Sequence, residues 1–173
     1  MMLLLPASIV LTSALCPEGW EKGLPPDKCY LFGTTAMSWT SCSYTCEGLG
    51  ASMLCVEDDA ESRFISEHSA NDTGMWLGIS DSEEEGSWVW PSGCLSVYHD
   101  WHDVEPSNSY GREDCAVAGA AGSRQAWTAY DCTRPTEVCG CESVMTVSPS
   151  RMLAAGMRGE DSITPYHLTL NLP

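Results

Sequence analysis

The sequence predicts an α+β domain with two short helices, small antiparallel sheets and one long loop, all held by disulfides. Three observations point there. Ten cysteines in 173 residues are an even number and well above the usual share, which reads as an oxidising compartment and a disulfide framework. Two segments with helical spacing come early and short strand-like segments follow, an order that suits an α+β domain. Residues 91–114 are rich in Pro, Gly, Ser and Asp with no apolar period, and a loop that long in one domain is usually functional.

Residues 1–14, MMLLLPASIVLTSA, hold a mostly apolar run followed by small residues. The run is shorter than the roughly 20 residues of a membrane-spanning helix. It reads as a secretory signal cleaved near Ala14, although no Lys or Arg precedes the apolar part. No later run is long or apolar enough to span a bilayer, so the mature chain is expected to be secreted and extracellular, with no membrane insertion.

KCYLF at 28–32 suits a short strand. At 38–49, Ser38 is placed to cap a helix, and Trp39, Cys42, Cys46 and Leu49 share one face at spacings of three and four. Gly48 and Gly50 would end it. Residues 58–68 read as a second helix, with acidic residues at the start, where they complement the helix dipole, and Phe64 and Ile65 inside. Residues 75–79 and 88–90 are strand candidates. Residues 143–173 contain no Cys or Trp and no sustained period, and read as a loosely ordered tail.

Lys plus Arg total 8 against 24 Asp plus Glu, a formal net charge of -16. Such a chain repels phosphate backbones and anionic lipid, so nucleic acid is a poor partner. Surplus carboxylates suit cations, Ca²⁺ included. No Ser–His–Asp set, phosphate-cradling Gly loop or catalytic carboxylate pair stands in a supporting context, so no enzyme activity is expected.

The order of motifs carries a resemblance. Cys16-Pro17-Glu18-Gly19-Trp20 is followed by Cys29-Tyr30-Leu31-Phe32 and by Trp39 with Cys46. Trp76-Leu77-Gly78-Ile79, Glu85-Gly86-Ser87-Trp88-Val89-Trp90 and Trp101 come next. Glu105-Pro106-Ser107, Glu113-Asp114-Cys115, Trp127, Cys132 and Cys141-Glu142 complete the series. Across residues 16–142 the chain resembles a long-form C-type lectin-like domain.

The resemblance implies disulfides Cys16–Cys29, Cys46–Cys141 and Cys115–Cys132. Cys42, Cys55, Cys94 and Cys139 fall outside that pattern, and three pairings of them stay open. A zinc site is the alternative, but the spacings match no common zinc pattern. The tryptophans at 76, 88, 90, 101 and 127 are implied to be core residues with paired N–H groups.

The resemblance also implies Ca²⁺-dependent sugar binding. Ca²⁺ takes six to eight oxygen ligands, and vicinal sugar hydroxyls can complete a shell that the protein leaves open. Of the family's sugar-site ligands, Glu105 and Glu113 are in place. Ser107 replaces an Asn, Thr128 and Ala129 stand where an Asn-Asp pair belongs, and Asp131 lies two residues further on. The sugar-type calcium site is thus degraded. A neighbouring structural calcium site keeps Asp81, Glu85, Asn108, Glu113 and Asp114.

Tyr110 reads as a surface residue or as a ring for stacking on sugar. His99, Asp100, His102 and Asp103 read as loop residues or as a transition-metal site. Asn71-Asp72-Thr73 is an N-glycosylation sequon. The leading expectation is a carbohydrate or glycoprotein ligand. The alternatives are a calcium-stabilised domain that recognises a protein, and a purely structural disulfide-held module.

Overall fold

The computed structural model of the protein describes residues 15–24, 27–69, 73–120 and 126–145. The expected signal (1–14), the sequon Asn71 and residues 146–173 of the expected tail lie outside them.

Strand β1 (Glu21–Lys22) pairs antiparallel with β2 (Lys28–Met37). Cys16–Cys29 ties the preceding segment to β2. β2 runs five residues past the expected end at Phe32 because it pairs along its length with the last strand, β7 (Glu137–Val144), with an irregularity between Phe32 and Ala36. β7 itself takes in Ser143 and Val144, which sequence places in the tail.

Helix α1 (Trp39–Gly48) is capped by Ser38, whose side chain accepts from the Ser41 N–H. It ends as Leu49 closes on Cys46 and Gly50 turns at φ +68°, a backbone state that suits glycine. Cys42 and Cys46 face the core and bond to Cys139 and Cys141 of β7. Leu49, expected on that face, is exposed, because it is the cap rather than part of the last helical turn. A two-residue strand β3 (Ser52–Met53) adds to β7.

Helix α2 (Asp59–Glu67) starts at the Asp58 cap, which accepts from the Glu61 N–H at 2.8 Å. It buries Glu61, Ser62, Ile65 and Ser66. Strand β4 (Met75–Ser80) is buried throughout and pairs antiparallel with β5 (Cys115–Ala118), which pairs with β6 (Trp127–Tyr130). A parallel register of Met75 with Val138 joins β4 to β7, so the small sheets merge in the order β1-β2-β7-β4-β5-β6. Residues 88–90 form no strand beyond an isolated bridge of Val89 to Ser80.

One core cluster holds Tyr30, Leu54, Ile65, Leu77, Ile79 and Trp127, and a second holds Trp76, Met53, Val117 and the α1–β7 cysteines. Trp76, Trp90 and Trp127 pair their indole N–H groups with Met37 O, Ser96 O and Ser62 Oγ. The buried Trp88 N–H, by contrast, has no partner among the described residues.

A charged network sits under β2. Lys28 Nζ contacts Glu61 at 2.9 Å, Glu57 at 3.4 Å and Glu142 at 3.5 Å. The Tyr30 hydroxyl donates to Glu61, and Glu142 accepts from the Cys55 N–H at 2.8 Å. Burial pushes the Glu142 carboxyl up to about 7, only partly offset by Lys28. Burial lowers the Lys28 ammonium, but its carboxylate neighbours, Glu142 foremost, outweigh this and hold it raised.

All ten cysteines are paired. The three bridges implied by resemblance are present, and the remaining four form Cys42–Cys139 and Cys55–Cys94. The zinc alternative falls, since no thiol is free to ligate.

Candidate calcium and ligand site

The long loop is anchored on β6 by backbone bonds. Trp127 N–H donates to Asp100 O at 2.6 Å, and His102 N–H donates to Trp127 O at 2.9 Å. Asp100 Oδ2 accepts from Ser62 Oγ at 2.8 Å, and Ser62 Oγ accepts from the Trp127 indole. This explains Asp100 as a packing residue. Among the described residues no metal cluster includes it, His99, His102 or Asp103.

From this anchor the chain reaches Glu105, joined to Pro106 by a cis peptide. Glu105 Oε2 accepts from the N–H groups of Ser107 (3.0 Å) and Ala129 (2.9 Å). Ser107 Oγ donates to Glu113 Oε2 at 2.8 Å, and Ser109 N–H donates to the same oxygen at 2.6 Å. Ser107 therefore links the two expected sugar-site carboxylates. The second oxygen of each makes no hydrogen bond with the described residues.

Thr128 and Ala129 lie within β6, where Ala129 is buried and offers only its backbone N–H. Asp131 sits beyond the strand end, and its Oδ1 accepts from Thr133 N–H (3.0 Å) and Oγ1 (2.7 Å). These bonds, with Arg112 and Arg134 nearby, hold its carboxyl below the usual range. Asp131 lines one open pocket with Ser109, Tyr110, Arg112, Glu113 and Arg134. Asp131 does not match the family motif in sequence, but the turn after β6 brings it into the pocket that Glu113 lines.

Of the residues expected at a structural calcium site, Asp81 and Asp114 lie side by side. Asp81 is 4% exposed; its Oδ2 accepts from the Gly86 N–H at 2.9 Å, and its buried Oδ1 has no hydrogen-bond partner among the described residues. Asp81 N–H donates to Asp114 O at 3.2 Å. Burial, then the charges of Asp81 and Asp131, raise the Asp114 carboxyl. Asn108, at φ +43°, accepts through Oδ1 from the Glu113 N–H at 3.3 Å. Glu85 is exposed on the turn after β4. No three of these carboxylates bring oxygens within 4.8 Å of one another. None forms an ion pair with a described Lys, Arg or His. A buried carboxylate oxygen with no donor, beside a second carboxylate, is costly unless a cation meets it. The donor set is all oxygen, which fits a hard cation such as Ca²⁺.

Sequence reading missed Arg112 and Arg134. The one available signal was their scarcity in so acidic a chain.

A family model described as the lectin C-type domain matches residues 35–142. The chain belongs to the C-type lectin domain family. Members of this family are generally binding proteins rather than enzymes, and calcium is their typical ion. Ladderlectin of Oncorhynchus mykiss is 37% identical over 106 residues, covering 59% of this chain and 55% of its own length. The low affinity immunoglobulin epsilon Fc receptor of Mus musculus is 28% identical over 155 residues, covering 90% of this chain and 43% of its own length. The chain thus spans about half the length of these curated relatives. Among solved structures, the cow CD23 carbohydrate-recognition domain, crystallised with a GlcNAc2Man3 oligosaccharide, is 28% identical with a TM-score of 0.67. That match covers 78% of this chain and 99% of the other. A calcium-independent type II antifreeze protein shares the fold at TM-score 0.67 and 22% identity, covering 78% and 98%. The C-type lectin fold alone therefore decides neither calcium nor sugar.

Proposed function

We propose that this C-type lectin domain binds carbohydrate outside the cell with the help of Ca²⁺. The observation that carries this is the pairing of Glu105 and Glu113 through Ser107, each with one carboxylate oxygen unused by the protein. Asp131 shares its pocket with Glu113, and Thr128 precedes Ala129, whose N–H holds Glu105. Asp81, Glu85, Asn108, Glu113 and Asp114 would hold a structural ion, with the unpartnered Asp81 Oδ1 as its deepest ligand. When bound, Ca²⁺ supplies coordination positions that sugar hydroxyls can fill. The chain's own part is to fix the carboxylates on a loop tied to β6. The five disulfides support an extracellular setting. No helix among the described residues is long and apolar enough to cross a membrane.

A second reading is calcium-stabilised recognition of a protein surface. It is favoured by Ala129, whose methyl group offers no ligand atom where the family's sugar site has a side chain and whose backbone N–H is given to Glu105. Thermal melting of the oxidised protein in EDTA, in millimolar Ca²⁺, and in Ca²⁺ with mannose or galactose separates the two. A ligand that binds only the folded state raises the midpoint. A rise with Ca²⁺ and a further rise with one sugar is the expected result. A rise with Ca²⁺ alone moves the function to protein recognition, and no response to either sinks both calcium readings.

A further inference from the structure

We infer that the pocket lined by Tyr110, Arg112, Asp131 and Arg134 takes the negatively charged group of an acidic sugar, a carboxylate or a sulfate, next to the Glu105–Glu113 pair. This rests on the carbohydrate reading above and names its ligand class.

Charge placement is the first support. The described cations are Lys22, Lys28, Arg63, Arg112 and Arg134. Lys28 is committed to three carboxylates and Arg63 to Asp59. Arg112 and Arg134 form no ion pair within 4.0 Å among the described residues, yet both line one pocket, from two different loops. Arg112 follows the short turn Ser109–Gly111, and Arg134 closes the turn that begins at Asp131, its N–H donating to Asp131 O at 3.1 Å. In a chain of net charge -16, two arginines lining one pocket bring its charge into balance with Asp131 and Glu113.

The second support is how the pocket's own carboxylates are used. Asp131 Oδ1 is held by Thr133, and Glu113 Oε2 by Ser107 and Ser109. They balance the guanidinium charge but leave the guanidinium forks without a bidentate partner among the described residues. A planar fork with several N–H donors suits carboxylate and sulfate oxygens. An ion held at Glu113 would turn the balanced pocket positive.

The third support is Tyr110. It is 97% exposed and held at φ +62°, between Asn108 at φ +43° and Gly111 at φ +64°. A bulky residue in the left-handed region is uncommon and is found most often at functional sites. Tyr110 lines the same pocket, where its exposed ring can pack on the apolar face of a sugar.

The test uses one biantennary N-glycan in neutral, sialylated and sulfated forms, immobilised, with the unaltered protein in millimolar Ca²⁺. The acidic forms are expected to bind about tenfold tighter than the neutral one, with that advantage shrinking as salt rises. In an R112Q/R134Q variant of unchanged Ca²⁺-dependent melting, all three forms should bind alike. An advantage for the sialylated form alone identifies a carboxylate site, and for the sulfated form alone a sulfate site. Equal binding of the three forms by the unaltered protein overturns the inference and leaves carbohydrate binding standing. An advantage that survives in the double variant overturns it too. No binding of any form removes the carbohydrate reading and this inference with it.

Discussion

Ala129 donates its backbone N–H to Glu105 Oε2 at 2.9 Å. A position where the family resemblance expects a ligand side chain thus still fixes the carboxylate proposed as a ligand, because the strand amide orients it. Two variants separate orientation from charge. Glu105→Gln keeps an acceptor for Ala129 and Ser107, so its Tm should stay close to that of the unaltered protein while Ca²⁺-dependent sugar binding falls at least tenfold. Glu105→Ala leaves a buried N–H unpaired and should also cost about 1–3 kcal/mol of stability. Equal sugar binding by the Gln variant would remove Glu105 from the site.

Asp81 and Asp114 set a second expectation. The unpartnered Asp81 Oδ1 sits where Asp114 is raised by burial and by the Asp81 charge. Asp81→Asn keeps an acceptor for the Gly86 N–H and removes one charge. In EDTA the variant should melt higher, by about 1 kcal/mol, and Ca²⁺ should no longer raise its midpoint. The sign for Asp114 follows: its folded pKa is raised, so without Ca²⁺ it lends stability as pH falls through that value. Melting in EDTA and Ca²⁺ checks both. An unchanged Ca²⁺ response in Asp81→Asn would place the ion elsewhere.

What sequence showed and what it hid divide along contact range. The Ser38 cap, the acidic start of α2, the buried Cys42 and Cys46, and the start of β4 were legible because neighbours a few residues away define them. The second half of β2, GTTAM, has no apolar alternation; its register comes from β7, about a hundred residues on. Leu49 matched the helical period but lies past the turn that ends the helix. Glu61 could not be read as buried, because Lys28 and Tyr30, which make its burial tolerable, come from another element. In the candidate site, Glu105 and Glu113 were legible as a motif, whereas the meeting of Arg112, Asp131 and Arg134 depends on two loops folding together.

Cys42–Cys139 and Cys46–Cys141 staple the same helix to the same strand, with sequence separations of 97 and 95. In the chain-entropy model a loop of that size is worth about 4–5 kcal/mol. A second bridge closing nearly the same loop constrains an unfolded chain that is already constrained. Replacing either pair with alanine should therefore cost about 1–2 kcal/mol, and replacing both much more than the sum. Denaturant melting of the three variants measures the coupling, and simple additivity would refute it.

Glu142 gives the domain a pH dependence near neutrality. Its carboxyl is raised from 4.5 to about 7, by burial first, with Lys28 shared among Glu57, Glu61 and Glu142 and unable to offset it fully. Because the folded value is the higher one, the folded state takes up the proton first. Its stability contribution therefore grows as pH falls from above 7 toward 4.5 and fades as pH rises through about 7. Lys28 has the same direction at alkaline pH: its raised folded value favours the folded state until pH passes that value. Glu142→Gln keeps an acceptor for the Cys55 N–H and cannot ionise. At pH 8 the variant should be more stable, by up to about 3 kcal/mol, and at pH 5 nearly equal to the unaltered protein. Urea unfolding at both pH values reads the difference directly. Equal stability at pH 8 would mean that Lys28 holds Glu142 ionised at little cost, and would place the pH dependence elsewhere.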